Sequence, residues 1–221
     1  MKSKNREYRD MVLEIKAVEE AEEQNEQIEE REPEQIVVGY ATTFDEPYTL
    51  MEGEDFVIKE VVDRGAFNDT DMSDVIMQYD HEGRVFARIK NKTLTVTPDG
   101  HGLHIEANLG GPELGRHWYE EIRGGYTDKM SFGFTVKDDV WTKETDELGR
   151  EVNERRILSV GKLYDVSAVS IPANNMTDLS VRNLADGVIE QMRAERLKAA
   201  ELELARRRAE IRAKALGGRN D

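Results

Sequence analysis

The chain contains no cysteine. That excludes disulfides, a thiolate nucleophile and zinc held by sulfur, and it suits a reducing compartment. Long apolar runs are missing too: none approaches the roughly eighteen residues a membrane span needs. The start, Met1-Lys2-Ser3-Lys4-Asn5-Arg6-Glu7, is basic but leads into no apolar stretch of signal-peptide length. Positive charge is outnumbered, with 31 lysines and arginines against 46 aspartates and glutamates, a formal net charge of -15. Sequence-independent nucleic-acid binding needs a basic footprint, so the balance argues against it. Histidine is limited to His81, His101, His104 and His117, which lack metal-ligand spacing. The expectation is a soluble, intracellular protein with no metal, no cofactor, no nucleic acid and no membrane among its partners.

What is present is enough for one domain with a core and some appendages, at 221 residues. Charged residues make up 35% of the chain against 38% hydrophobic, so the charge should gather in segments outside the core. Residues 1–35 carry 6 basic and 12 acidic groups, residues 184–221 carry 9 and 7, and -11 is left for the middle. Met11 to Val18 fits a half-buried strand, with Leu13, Ile15 and Ala17 on one side, better than a helix. Glu19 to Glu34 is almost wholly acidic and amide and reads as a solvated loop or frayed helix. Strands follow at Ile36–Ala41, Phe56–Val62 and Val75–Tyr79, separated by turn chemistry at Phe44–Thr49 and Arg64–Asp69. Leu94–Thr97 and Leu103–Leu109 flank Pro98-Asp99-Gly100 as a hairpin.

A helix opens at Gly111-Pro112-Glu113, repeats Leu114, Trp118 and Ile122 at helical spacing, and ends at Gly124-Gly125. Phe132–Val136, Val140–Trp141, Ile157–Val160 and Leu163–Ile171 are further strands, with Lys143–Arg155 as a polar hairpin excursion and Pro172 as the stop. The total is about eight to ten short strands around one helix: a mostly antiparallel sheet or barrel with helical insertions. Leu184 to Leu216 is rich in Ala, Glu, Arg and Leu and predicts a long helix without a sustained heptad.

Ser131 stands near the start of a strand, flanked by Met130 and Phe132. A hydroxyl there is either a satisfied strand serine or a nucleophile, and a nucleophile needs a base within reach and a third group to orient that base. His101 beside its turn, His104 on the polar face of its strand and His117 among helix charges all read as solvated. His81 differs, because it stands where an apolar strand ends, and strand ends are where scaffolds present reactive groups. The residues alone leave both readings of Ser131 open.

Five segments in one order carry a resemblance: Gly39-Tyr40-Ala41…Phe44, Arg64-Gly65-Ala66-Phe67, Tyr79-Asp80-His81, Met130-Ser131-Phe132-Gly133-Phe134, and Leu163-Tyr164-Asp165-Val166-Ser167-Ala168-Val169-Ser170-Ile171-Pro172-Ala173. Over roughly residues 10 to 183 the chain resembles the prohead (capsid maturation) serine proteases of tailed phages, relatives of the herpesvirus assembly proteases. The resemblance implies an α+β fold that is mainly β, an antiparallel β-barrel wrapped by helices. It makes Ser131 the nucleophile, His81 the general base and Asp165 the third member, with His101 or His104 as rivals because the herpesvirus enzymes use a second histidine. Backbone N–H groups near Ser131 or in an adjacent loop are the natural oxyanion donors. Arg155-Arg156 resembles an arginine pair of those enzymes, but in a context that does not match, and reads as solvated strand-edge arginines.

The implied organisation is a protease domain over 1–183, with an acidic insertion at 19–35, and a charged helical tail over 184–221 for targeting or scaffold contact. The implied activity is a serine endopeptidase that cleaves the major capsid protein or its scaffold segment, and itself, inside the immature prohead in the host cytoplasm. Self-association is a further implication. The competing reading is a protease fold kept as an inactive scaffolding protein, and retention of Ser131, His81 and Asp165 together favours the enzyme.

Overall fold

The computed structural model describes residues 6–18, 34–169 and 179–217. The acidic run and the end of the last expected strand, Pro172 included, lie outside them. The chain divides into two compact units, Met1–Arg182 and Asn183–Asp221. In chain order the elements are β1 (Glu7–Ala17), β2 (Ile36–Thr43), β3 (Tyr48–Glu52), β4 (Phe56–Val62), β5 (Ile76–Tyr79), β6 (Glu82–Arg88), β7 (Leu94–Pro98), β8 (Gly102–Asn108), α1 (Glu113–Arg123), β9 (Lys129–Thr145), β10 (Glu151–Val169) and α2 (Leu179–Gly217). The fold is mainly β with two helices.

The strands form one sheet in the order β3-β4-β10-β9-β1-β2-β8-β7, with the β5–β6 hairpin attached to β10. The path is open among the described residues, ending at β3 on one side and β7 on the other, so the expected barrel is not closed by strand pairing. Nor is the sheet wholly antiparallel. One edge of β10 takes two parallel neighbours, β4 along residues 151–157 and β5 along residues 165–168. Its other edge runs antiparallel to β9 from Glu151↔Thr145 to Val169↔Lys129. From Phe132 to Val169 the expected short strands and polar excursion are thus one long hairpin, which forms the spine of the sheet.

Periodicity explains most of the elements. In β8 Leu103, Ile105 and Ala107, followed by Leu109, are fully buried while Glu106 is exposed, the alternation of a strand with one face in the core. Helix α1 begins after Pro112 and ends in a Schellman motif: Gly125, at φ 74°, donates its N–H to the Ile122 carbonyl, and Tyr126 donates to Glu121. Its buried face is Gly115, Trp118, Tyr119 and Ile122, whereas Leu114, expected on that stripe, is exposed at the first turn. Trp118 packs against Phe86 at 4.6 Å and Tyr79 at 6.2 Å between ring centroids, which braces the β5–β6 hairpin. Strand β6 was not foreseen, since Glu82-Gly83-Arg84-Val85 is exposed throughout and shows no alternation.

In the second unit, α2 carries exposed Leu197, Leu202, Leu204 and Ile211. Glu203 and Arg207 pair at i,i+4 with 2.6 Å between them. No helix among the described residues is long and apolar enough to cross a membrane.

Candidate active site

The pleat of β9 separates two rows of side chains. Met130, Phe132 and Phe134 join the apolar core, and Ser131 and Gly133 point the other way. On β10, Val166 and Ala168 pair with Phe132 and Met130, so Ser167 lies opposite Ser131 on the second face. Asp165 reaches that face through a bulge. Leu163 pairs with Phe134 and Asp165 with Gly133, so two steps on β10 answer one step on β9 and Tyr164 is the extra residue. A regular strand would turn Leu163 and Asp165 to the same side. The bulge turns the carboxylate away from the core and onto the serine face.

His81 arrives from the neighbouring hairpin. Tyr79 pairs with Glu82, leaving Asp80 and His81 as a two-residue loop with φ of 46° and 60°. Positive φ at both central residues is what a type I′ hairpin turn demands, and glycine or asparagine usually meets the demand. Aspartate and histidine are among the non-glycine residues that enter this left-handed region more readily than most. The parallel register of β5 on β10 sets Tyr79 beside Ala168, and the Asp80 N–H donates to the Ala168 carbonyl, fixing the turn over the serine face.

The three side chains meet there. His81 Nδ1 contacts Asp165 Oδ2, and His81 Nε2 lies 2.5 Å from Ser131 Oγ. An ionised carboxylate only accepts, so Nδ1 carries the ring proton and Nε2 presents its lone pair to the serine. Ser167 Oγ donates to the same Asp165 oxygen at 2.9 Å. Ser131 Oγ has a second acceptor in the Arg9 carbonyl at 3.0 Å, so its single proton has two places to go. Ser131, Asp165 and Ser167 are fully buried, and the His81 side chain is 16% exposed. Burial in a low dielectric strengthens each of these contacts.

The rival histidines lie elsewhere. His101 and His104 flank the Tyr40 ring on the β7–β8 side of the sheet, at 4.6 and 5.2 Å between centroids, and His117 is exposed on α1. Sequence reasoning missed the contributions of β1. Tyr8 sets its ring edge against His81 at 4.6 Å, and Arg6 meets Asp165. It also missed Ser167, although Asp165 and Ser167 at i and i+2 share a face of any regular strand.

Strand β1 is held by a buried ion network on its other face. Arg9 grips Glu60 with two hydrogen bonds of 2.6 and 2.9 Å, and Arg155 bonds Glu60, Glu7 and Asp139 at 2.9, 2.7 and 2.7 Å. Tyr48 adds its hydroxyl to Glu60 at 2.7 Å. Burial pulls the Arg9 guanidinium down and pushes the Glu60 carboxyl up, but their mutual attraction wins: Arg9 is held above its ordinary value and Glu60 below. Arg155 is therefore not a solvated strand-edge residue, whereas Arg156 is partly exposed beside Asp45 and Asp63. Among the described residues no cluster of His, Asp or Glu has the arrangement to hold a metal ion.

A family model described as Caudovirus prohead serine protease matches residues 20–192. No curated protein and no solved structure matches the chain.

Proposed function

Because the chain belongs to the caudovirus prohead serine proteases, we propose that Ser131, His81 and Asp165 are its nucleophile, general base and orienting carboxylate in peptide-bond hydrolysis. The observation that carries this reading is the unbroken contact chain from Asp165 through both nitrogens of His81 to Ser131 Oγ. Ser131 Oγ attacks the peptide carbonyl carbon while its proton passes to His81 Nε2. Asp165 remains ionised, keeps the Nδ1 proton in place and stabilises the imidazolium. Collapse of the tetrahedral intermediate breaks the C–N bond, and His81 returns its proton to the departing amine. Water then repeats the sequence on the acyl-enzyme, with His81 as base again.

The substrate in this reading is the capsid protein or scaffold of the immature head, cut within the prohead in the host cell, together with the protease's own chain. Membership of the family supports a role in capsid maturation, and in this reading residues 1–183 act as the protease unit with residues 184–221 as a charged extension. Treatment with a fluorophosphonate tests the nucleophile without knowledge of the substrate. Intact mass should rise by one phosphonyl group, localised to Ser131, in the wild type. Ser131→Ala should stay unlabelled, and labelling of Ser131→Ala at the wild-type rate would overturn the assignment.

A further inference from the structure

Strand β1 lies ahead of the residues that match the family, 20–192, yet it closes the serine face. Its pairing with β9 sets Tyr8 opposite Gly133 and Asp10 opposite Ser131, so the even-numbered side chains of β1 share that face. Arg6 precedes the strand with the same parity. Its guanidinium meets Asp165 Oδ1 and lies between two rings, 4.8 Å from the centroid of Tyr8 and 4.6 Å from that of Tyr164. Tyr164 is the bulged residue that turns Asp165 to this side.

Oδ2 of Asp165 is engaged by His81 and Ser167, whereas Oδ1 is buried, accepts no hydrogen bond among the described residues and is paired with the charge of Arg6. Gly133 leaves the room for this arrangement, because a Cβ there would collide with Asp165 Oδ1 and come within 2.8 Å of Arg6 Nε. We infer that Arg6 is a positioning residue for the catalytic reaction: it pins Oδ1 of Asp165 so that Oδ2 is aimed at His81 Nδ1. The inference rests on the triad reading above. Stacking on two aromatic faces holds a planar guanidinium against rotation, and a fixed cation beside the carboxylate keeps it ionised and in one rotamer. Arg6 also tempers the negative charge that His81 feels. Among the described residues, the other titratable groups that the neighbouring strands bring to this face are Tyr8 and Asp10 on β1, Asp80 and Glu82 beside His81, and Tyr164 with Lys162 over its ring on β10.

The test uses the full chain and the fluorophosphonate reaction, measured as the saturating labelling rate and the half-saturating probe concentration across pH. Arg6→Met is expected to slow the saturating rate roughly ten- to a hundredfold, a fraction of what a general base contributes, with the half-saturating concentration unchanged. Removing the cation leaves the imidazolium more strongly stabilised by Asp165, so the acid limb of the profile should move to higher pH. Arg6→Lys, which keeps the charge, should restore the wild-type limb and most of the rate. An unaltered rate and limb in Arg6→Met would overturn the inference. So would equal losses in both variants that track their melting temperatures with the limb unmoved, because that is the mark of a structural role. Ser131→Ala run alongside separates the two levels: labelling that survives there sinks the triad reading itself.

Discussion

At the scale of single residues, the site depends on one glycine and one carboxylate. Gly133 sits in mid-strand, where glycine usually weakens a sheet, and its missing Cβ is the space occupied by Asp165 and Arg6. Gly133→Ala should therefore displace the carboxylate and lower the fluorophosphonate rate by about a hundredfold or more, while far-ultraviolet circular dichroism stays that of the wild type. Asp165→Asn should cost about 10³- to 10⁴-fold, since an amide misdirects the imidazole tautomer. Labelling of Asp165→Asn within a few-fold of wild type would remove Asp165 from the machinery. That Ser131, His81 and Asp165 would come together was legible because each lies within a recognisable motif. Arg6 and Tyr8 were not, because nothing in a short polar N-terminal stretch announces which strand it will pair with. His81 was legible by place but not by conformation: aspartate suits the first position of a turn with two positive φ angles, but the second is most often glycine and nothing in the sequence singles out histidine for it.

At the scale of elements, the long β9–β10 hairpin and its bulges carry the site. Alternation in the sequence located β2, β4, β5, β7 and β8 closely. It failed at Lys143–Arg155 because those strands are built almost wholly of polar residues, so that even the alternately buried Asn153 and Arg155 give no apolar period, and it missed β6 because Glu82 to Val85 is exposed throughout. The bulge at Tyr164 was also illegible, since a run from Leu163 to Val169 reads as one regular strand that would send Asp165 into the core. Parallel pairing of β4 and β5 on β10 is a tertiary choice that no local pattern encodes.

The ion network that ties β1 to β4 and β10 makes a prediction of its own. Glu60→Gln takes from the buried Arg9 and Arg155 one of the two carboxylates they share, Glu7 being the other, and about 3–5 kcal/mol of stability should be lost in urea unfolding. The folded Glu60 carboxyl lies below its ordinary 4.5. Its contribution is thus complete above that pH and is lost as pH falls below it toward the folded value. The melting temperature of the wild type should drop through that acid window, and that of Glu60→Gln should drop less. Equal acid sensitivity would show that Glu60 titrates alike in both states.

At the scale of the molecule, an open, mainly β sheet brings Ser131, His81 and Asp165 into contact, and the chain continues into a 39-residue helix of mixed charge. The class of fold followed from the spacing of turns, while its closure did not, because the edges β3 and β7 remain separate in the ladder. The central claim is that this arrangement cuts capsid protein through Ser131. Co-expressing a prohead capsid protein with either the wild type or Ser131→Ala, and weighing both chains intact, tests it most directly. The account predicts a capsid protein shortened at defined peptide bonds beside the wild type and full-length beside the mutant. Identical capsid masses in the two cultures, whether cut or whole, would contradict it.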